Sequence, residues 1–164
     1  MHIVVFLGLL ALGACSTPYQ EMGFAGGVAA QQMTSNTFRI VSRGNGYTSS
    51  TTVQDYTVLK AAETTKNAGA THFAIVSAAD ASSTGHISTP GQAHTSFVGN
   101  TAYTTYTPGS VHQYIKPGQD TYIRIFTVPA GQAPPPGALS ADEIIQFVGP
   151  RIKRAATVSP ILMV

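Results

Sequence analysis

The chain has 164 residues, 10% of them charged, with a formal net charge of +2. That length favours one domain, and so small a charge is too weak to imply nucleic acid or an acidic membrane surface as the main partner. A single cysteine excludes an internal disulfide, and no Cys-x-x-Cys or Cys/His zinc spacing occurs.

The first twelve residues are almost wholly apolar. The run is too short for a transmembrane helix, which takes about 20 residues, and has the length of a signal-peptide apolar region. Leu12-Gly13-Ala14-Cys15 follows. This pattern resembles the lipobox of bacterial lipoproteins, in which small residues fit the peptidase and the cysteine thiol takes the lipid. The resemblance implies a signal peptide over 1–14, lipidation of Cys15 and a membrane as partner through that lipid. Ser16, where Asp would retain a lipoprotein in the inner membrane, implies the outer membrane, facing the periplasm. Only His2 precedes the apolar run, where Lys or Arg is usual, which is compatible with a start further upstream.

Residues 15–27, with Pro18, Gly23, Gly26 and Gly27, read as a lipidated tether. Residues 28–33 have strand-compatible composition, Thr34-Ser35-Asn36 is a turn signal, and residues 37–42 form a strand of β-branched and aromatic residues. Arg43-Gly44-Asn45-Gly46 ends it, with glycines that take positive φ at little cost. Val53, Tyr56, Leu59 and Ala62 then recur at helical spacing. Thr51 or Thr52 is placed to cap, Glu63 and Lys66 to pair on the outer face, and Gly69 to end the helix, predicting helix over 52–68. Residues 72–78 are a near-continuous apolar run, a strand of central type.

Residues 80–119 change character, to Ser, Thr, Gly, His and Tyr with Pro90-Gly91, Gly99-Asn100, Pro108-Gly109 and Pro117-Gly118 as turn chemistry. They are either a flexible polar insertion or a set of short, strongly twisted hairpins, and on composition more mobile than the rest. A strand over 121–128 stops at Pro129, and a stiff Pro134-Pro135-Pro136 linker leads to the Ser140-Ala141-Asp142-Glu143 capping box of a second helix. The expected domain is therefore 28–154, with a C-terminal tail over 155–164. Its class is α+β: a mostly antiparallel sheet with two helices packed on one face. Phe38, Ile40, Leu59, Phe73, Ile75, Ile123, Ile125 and Ile145 are its expected core.

The lipobox cysteine, Gly-Phe-Ala-Gly-Gly at 23–27, Phe38 to Tyr47 with its Arg-Gly-Asn-Gly turn, Asp55-Tyr56 and Ala61-Ala62-Glu63 in the helix, and the Thr/Tyr-rich Pro-Gly segment occur together. In these the chain resembles a family of small, uncharacterised bacterial envelope lipoproteins. The resemblance spans most of the chain beyond Cys15, most specifically residues 38–63. It implies an envelope location and no particular activity.

Candidate sites are few. Backbone N–H groups in the turn formed by Arg43, Gly44, Asn45 and Gly46, before a helix, are a possible anion or ligand site, with Arg43 adding charge; a structural turn is the competing reading. His86, His94 and His112 are weak metal candidates, since their spacings of eight and eighteen match no metal motif. Ser77, His72 and Asp80 contain the residue types of a catalytic triad but no Gly-x-Ser-x-Gly elbow. No catalytic residue and no cofactor is therefore expected. The leading function is a non-catalytic, lipid-anchored binding or structural module with an envelope protein or the cell wall as partner. A small periplasm-facing hydrolase or a weak metal binder is the alternative.

Overall fold

The computed structural model describes residues 16–155. The elements in order are β1 (Gly27–Gln32), β2 (Thr37–Arg43), α1 (Ser50–Asn67), β3 (His72–Asp80), β4 (Ser83–Thr89), β5 (Gln92–Val98), β6 (Thr101–Thr107), β7 (Ser110–Lys116), β8 (Gly118–Phe126), β9 (Leu139–Ser140) and α2 (Ala141–Val148), closed by a 3₁₀ turn at Gly149–Arg151. The fold is α+β. Five strands pair antiparallel in the order β1-β2-β8-β3-β9. Both β2 and β3 run antiparallel to β8, hence parallel to each other, so α1 is the crossover of a βαβ unit with β8 filling the gap.

One face of the sheet is apolar because the strands alternate. Phe38 and Ile40 of β2, Ile123 and Ile125 of β8 and Phe73 of β3 are buried there, while Arg39 and Arg124 point the other way. Helix α1 covers that face with Val53, Tyr56, Leu59 and Ala62, and Ala61 and Ala62 allow close approach. Helix α2 lies beside α1 and adds Ala141, Ile144, Ile145 and Val148 to the same core.

Ser49, rather than Thr51 or Thr52, caps α1, its Oγ accepting from the Thr52 N–H at 3.0 Å. At the other end Gly69 takes φ +76° while the Gly69 and Ala70 amides close back on Lys66 and Thr65. Ser140 caps α2 as its capping box requires, accepting from the Glu143 N–H at 3.4 Å. The expected Glu63–Lys66 pair does not form. Glu63 instead binds Arg154, beyond the 3₁₀ turn, at 2.7 Å, and Lys66 binds Asp142 of α2 at 2.9 Å.

Two further expectations are corrected. Ile75 is 45% exposed although it sits opposite the fully buried Ile123. Strand β9 and α2 cover β3 only at His72 and Phe73, so β3 becomes an uncovered edge two residues on. The tether is the second correction. Thr17 is 1% exposed and Tyr19 7%. The Thr17 N–H donates to Thr48 Oγ1 at 2.9 Å, its hydroxyl donates to Ala25 O at 2.9 Å, and Tyr56 donates to its carbonyl at 2.8 Å. Tyr19 packs edge-on to Tyr56 and donates to Glu63 at 2.5 Å. Gly26 and Gly27, at φ +97° and +133°, let this segment double back where a Cβ would meet backbone carbonyls of Arg43 and Gln20.

Thr121, 1% exposed on β8 and opposite Ile40, has a buried hydroxyl without a hydrogen-bond partner among the described residues. Replacing it by the isosteric Val removes that desolvation cost. Thr121→Val is expected to raise stability by about 1 kcal/mol, read as a higher thermal midpoint; a lower midpoint would refute the assignment.

Residues 80–119 are built of paired strands that reverse once rather than in several hairpins. They form a single ribbon that prolongs β3 and β8 away from the sandwich. After one bulge between Ile75 and Ser77, the register is unbroken from Ser77 opposite Tyr122, through Ser83 opposite Lys116 and Gln92 opposite Thr107, to Val98 opposite Thr101. Gly99, at φ +62°, and Asn100 make the tip. The Pro90-Gly91 and Pro108-Gly109 pairs lie opposite one another halfway along, where proline removes ladder donors and interrupts the pairing without reversing the chain. Sixteen residues from Ser83 to Val98 correspond to about 50 Å at a strand rise of roughly 3.4 Å.

Candidate functional site

Three segments meet where the ribbon leaves the sandwich: the Met22–Gly26 loop, the Arg43–Tyr47 turn, and the first rungs of β4 and β7. Between them lies a cleft of ≈ 610 Å³ lined by Phe24, Tyr47, Ile87, Tyr114, Arg43 and Lys116, among others. Phe24 and Tyr47 are largely exposed, at 110% and 75%. Tyr114 locks the ribbon to the turn, because its ring lies over both Gly46 and its cross-strand partner Gly85. A Cβ on either glycine would come within 2.4 Å of that ring. Lys116 Nζ sits 5.6 Å from the centre of the same ring.

Two N–H groups of the turn formed by Arg43, Gly44, Asn45 and Gly46 are used within the fold. The Gly44 N–H donates to Pro117 O at 2.8 Å and the Asn45 N–H to Thr17 Oγ1 at 3.0 Å. Asn45 Oδ1 accepts from the Tyr47 N–H and from the Thr48 hydroxyl, both at 3.0 Å. Arg43 pairs with Asp120 at 2.7 Å and donates to Ser42 O and Gln119 O. The turn is a structural joint binding the N-terminal segment, β2 and the start of β8. Asp55 and Tyr56 reach it only indirectly: Tyr56 holds Thr17, and Asp55 faces Arg151 at 3.4 Å.

His86 and His94 stand on one face of the ribbon, on the order of 25 Å apart at the strand rise, and His112, opposite Ile87, is on the other. One ion cannot take all three. Among the described residues no group of three or more His, Cys, Asp or Glu could hold a metal. His72 bonds Thr71 Oγ1 at 2.8 Å and stacks on Phe126 at the start of β3, whereas Ser77 and Asp80 lie up the strand toward the ribbon. Eight residues of strand keep His72 and Asp80 apart, so no triad assembles. The Ser82 hydroxyl and its N–H, the latter at 2.8 Å, hold the Asp80 carboxyl below the usual carboxylate range. Cys15 lies outside the described residues.

The feature missed by reading the sequence is the ribbon itself. Its signal was present: no Asp, Glu, Lys or Arg occurs from Ala81 to Ile115, and Pro-Gly pairs flank Gly99-Asn100 almost symmetrically. Among the described residues no helix is long and apolar enough to cross a membrane. In comparisons with protein-family models, curated proteins and solved structures, nothing matches this chain.

Proposed function

We propose that this chain is a lipid-anchored lipoprotein of the bacterial cell envelope, held through Cys15 in the outer membrane on its periplasmic side, and that it works as a non-catalytic module. The observation that carries the reading is the apolar run ending in Leu12-Gly13-Ala14-Cys15. The fold closes on Thr17, and two residues of chain span at most about 7 Å, so lipid on Cys15 would hold the ribbon root against the bilayer rather than let the domain swing. The acidic residues support a structural rather than catalytic role. Glu21, Asp55, Glu63, Asp120 and Asp142 pair with Lys60, Arg151, Arg154, Arg43 and Lys66. Asp80 accepts from Ser82, and Glu143 lies in the capping turn of α2.

Metabolic labelling with palmitate is expected to mark the wild type and to be absent from Cys15→Ser. Labelling that survives the substitution would overturn the anchor.

A further inference from the structure

We infer that the ribbons of several copies of this chain pair edge to edge and close into a β-barrel that crosses the membrane, making the protein the subunit of a pore. The inference extends the lipid-anchored reading, and it stands on the ribbon's own chemistry.

Strands β4 to β7 form two-stranded ladders, so among the described residues the outward N–H and C=O groups of both edges have no strand partner. Isolated two-stranded ribbons are marginal in water, and soluble proteins protect such edges with charges, most often Lys. Here the opposite holds: 35 consecutive residues, Ala81 to Ile115, contain no Asp, Glu, Lys or Arg. An uncharged edge meets an identical edge without repulsion, and an uncharged hairpin enters hydrocarbon without the cost of a buried ion.

The whole ribbon has the length for a bilayer. A transmembrane strand takes about 9–11 residues; beyond the Pro-Gly break each side of the tip has seven paired residues, 92–98 and 101–107, and the ladder resumes at Thr89 opposite Ser110. The two faces of this half also differ. Ala93, Phe97, Ala102 and Tyr106 share one face, and the two hydroxyls between them, Thr95 and Thr104, bond each other at 2.8 Å. On that face an exposed polar group would be costly in lipid, and here the pair satisfies itself. The other face carries Gln92, His94, Ser96, Thr101, Thr105 and Thr107, with Val98 and Tyr103 toward the tip, and is the more polar of the two, the one suited to a water-filled lumen.

Placement agrees with this. The ribbon springs from the end of the sandwich where Thr17 bonds Asn45 and Thr48 and where Gly46 meets Tyr114, two residues from the lipidated cysteine. Within hydrocarbon an open ribbon cannot persist, because its edge groups lack water. Closure requires further ribbons, and other copies of the same chain supply them in register.

The test uses the full-length protein purified from the envelope in detergent and reconstituted into phosphatidylcholine/phosphatidylglycerol vesicles loaded with a fluorescent dye. The expected result is a ring-sized oligomer on crosslinking together with dye release. Ala102→Asp, on the lipid face, should abolish release. Thr105→Asp, on the lumen face, should keep release and shift single-channel currents toward cations. Both variants should retain the wild-type thermal midpoint of the sandwich, since neither touches its core. Equal loss in both, or a monomer without release in the wild type, would overturn the inference. So would an oligomer that leaves the vesicles sealed. Adding Cys15→Ser protein to preformed vesicles separates the two readings: release without lipid supports the ribbon and leaves the anchor to the palmitate experiment.

Discussion

Phe73→Ala is expected to cost about 3–5 kcal/mol of folding stability, whereas Ile75→Ala, two residues along the same strand, is expected to cost about 1 kcal/mol or less. Phe73 is fully buried between Ile125 and the underside of the helices, and removing its ring leaves a cavity among Ile123, Ile125, Ala62 and Ala141 that a packed core cannot close. Ile75 points to the same face but lies beyond the reach of β9 and α2, and truncating it mostly exchanges one wet surface for a smaller one. Denaturant unfolding of the two variants under the same conditions measures the contrast. Equal losses would mean that the apolar face is covered further up β3 than the sheet order provides.

Tyr19→Ala is the second large effect, at about 3 kcal/mol or more, and Tyr19→Phe a smaller one near 1 kcal/mol. Tyr19 fills the second cluster with Val28, Tyr56, Leu59 and Val148, and its backbone joins the end of the domain through Lys153 O and the Ala155 N–H. A flexible tether would lose nothing on either substitution, so the result distinguishes a docked segment from a loose one. The same residue sets an alkaline limit. Burial, then the bond to Glu63, pushes its hydroxyl well above the ordinary tyrosine value, and burial raises Tyr56 as well. A raised folded-state value means that the folded protein holds its proton longer than the unfolded chain. The resulting stability is complete below the unfolded value, about pH 10, and is lost as pH climbs beyond it. Tyr19→Phe should therefore flatten the decline of stability above about pH 10, leaving a residual slope from Tyr56. An unchanged slope would count against the buried Tyr19–Glu63 contact.

Much of the fold was legible in residue order. The helix at Ser50–Asn67 announced itself through Val53, Tyr56, Leu59 and Ala62 and through Gly69, and α2 through Ser140 and Glu143, because caps and periodicity are local. The alternation that makes β2 and β8 one-sided is equally local. The lipid-anchor expectation at Cys15 comes from residue order as well, and rests on it alone.

Other features needed the third dimension. Glycine and proline in residues 16–27 looked like a linker because composition cannot show that Thr17 finds Thr48 and Asn45, more than 25 residues away. The pairing of Glu63 with Arg154 rather than Lys66 has the same cause. Arg43, Gly44 and Asn45 suggested an anion site because a glycine turn offers N–H groups; only the folded chain shows Pro117 and Thr17 using two of them.

By itself, then, the sequence determined the α+β class, the two helices, the alternating strands of the sandwich and the uncharged run from Ala81 to Ile115. Each depends on neighbours within a few residues. Only the tertiary structure decided that this run is one straight-register ribbon rooted beside Thr17, since a Pro-Gly pair reads as a turn until the opposite strand is known. Here that strand carries a second Pro-Gly pair facing the first, and the ladder continues beyond both.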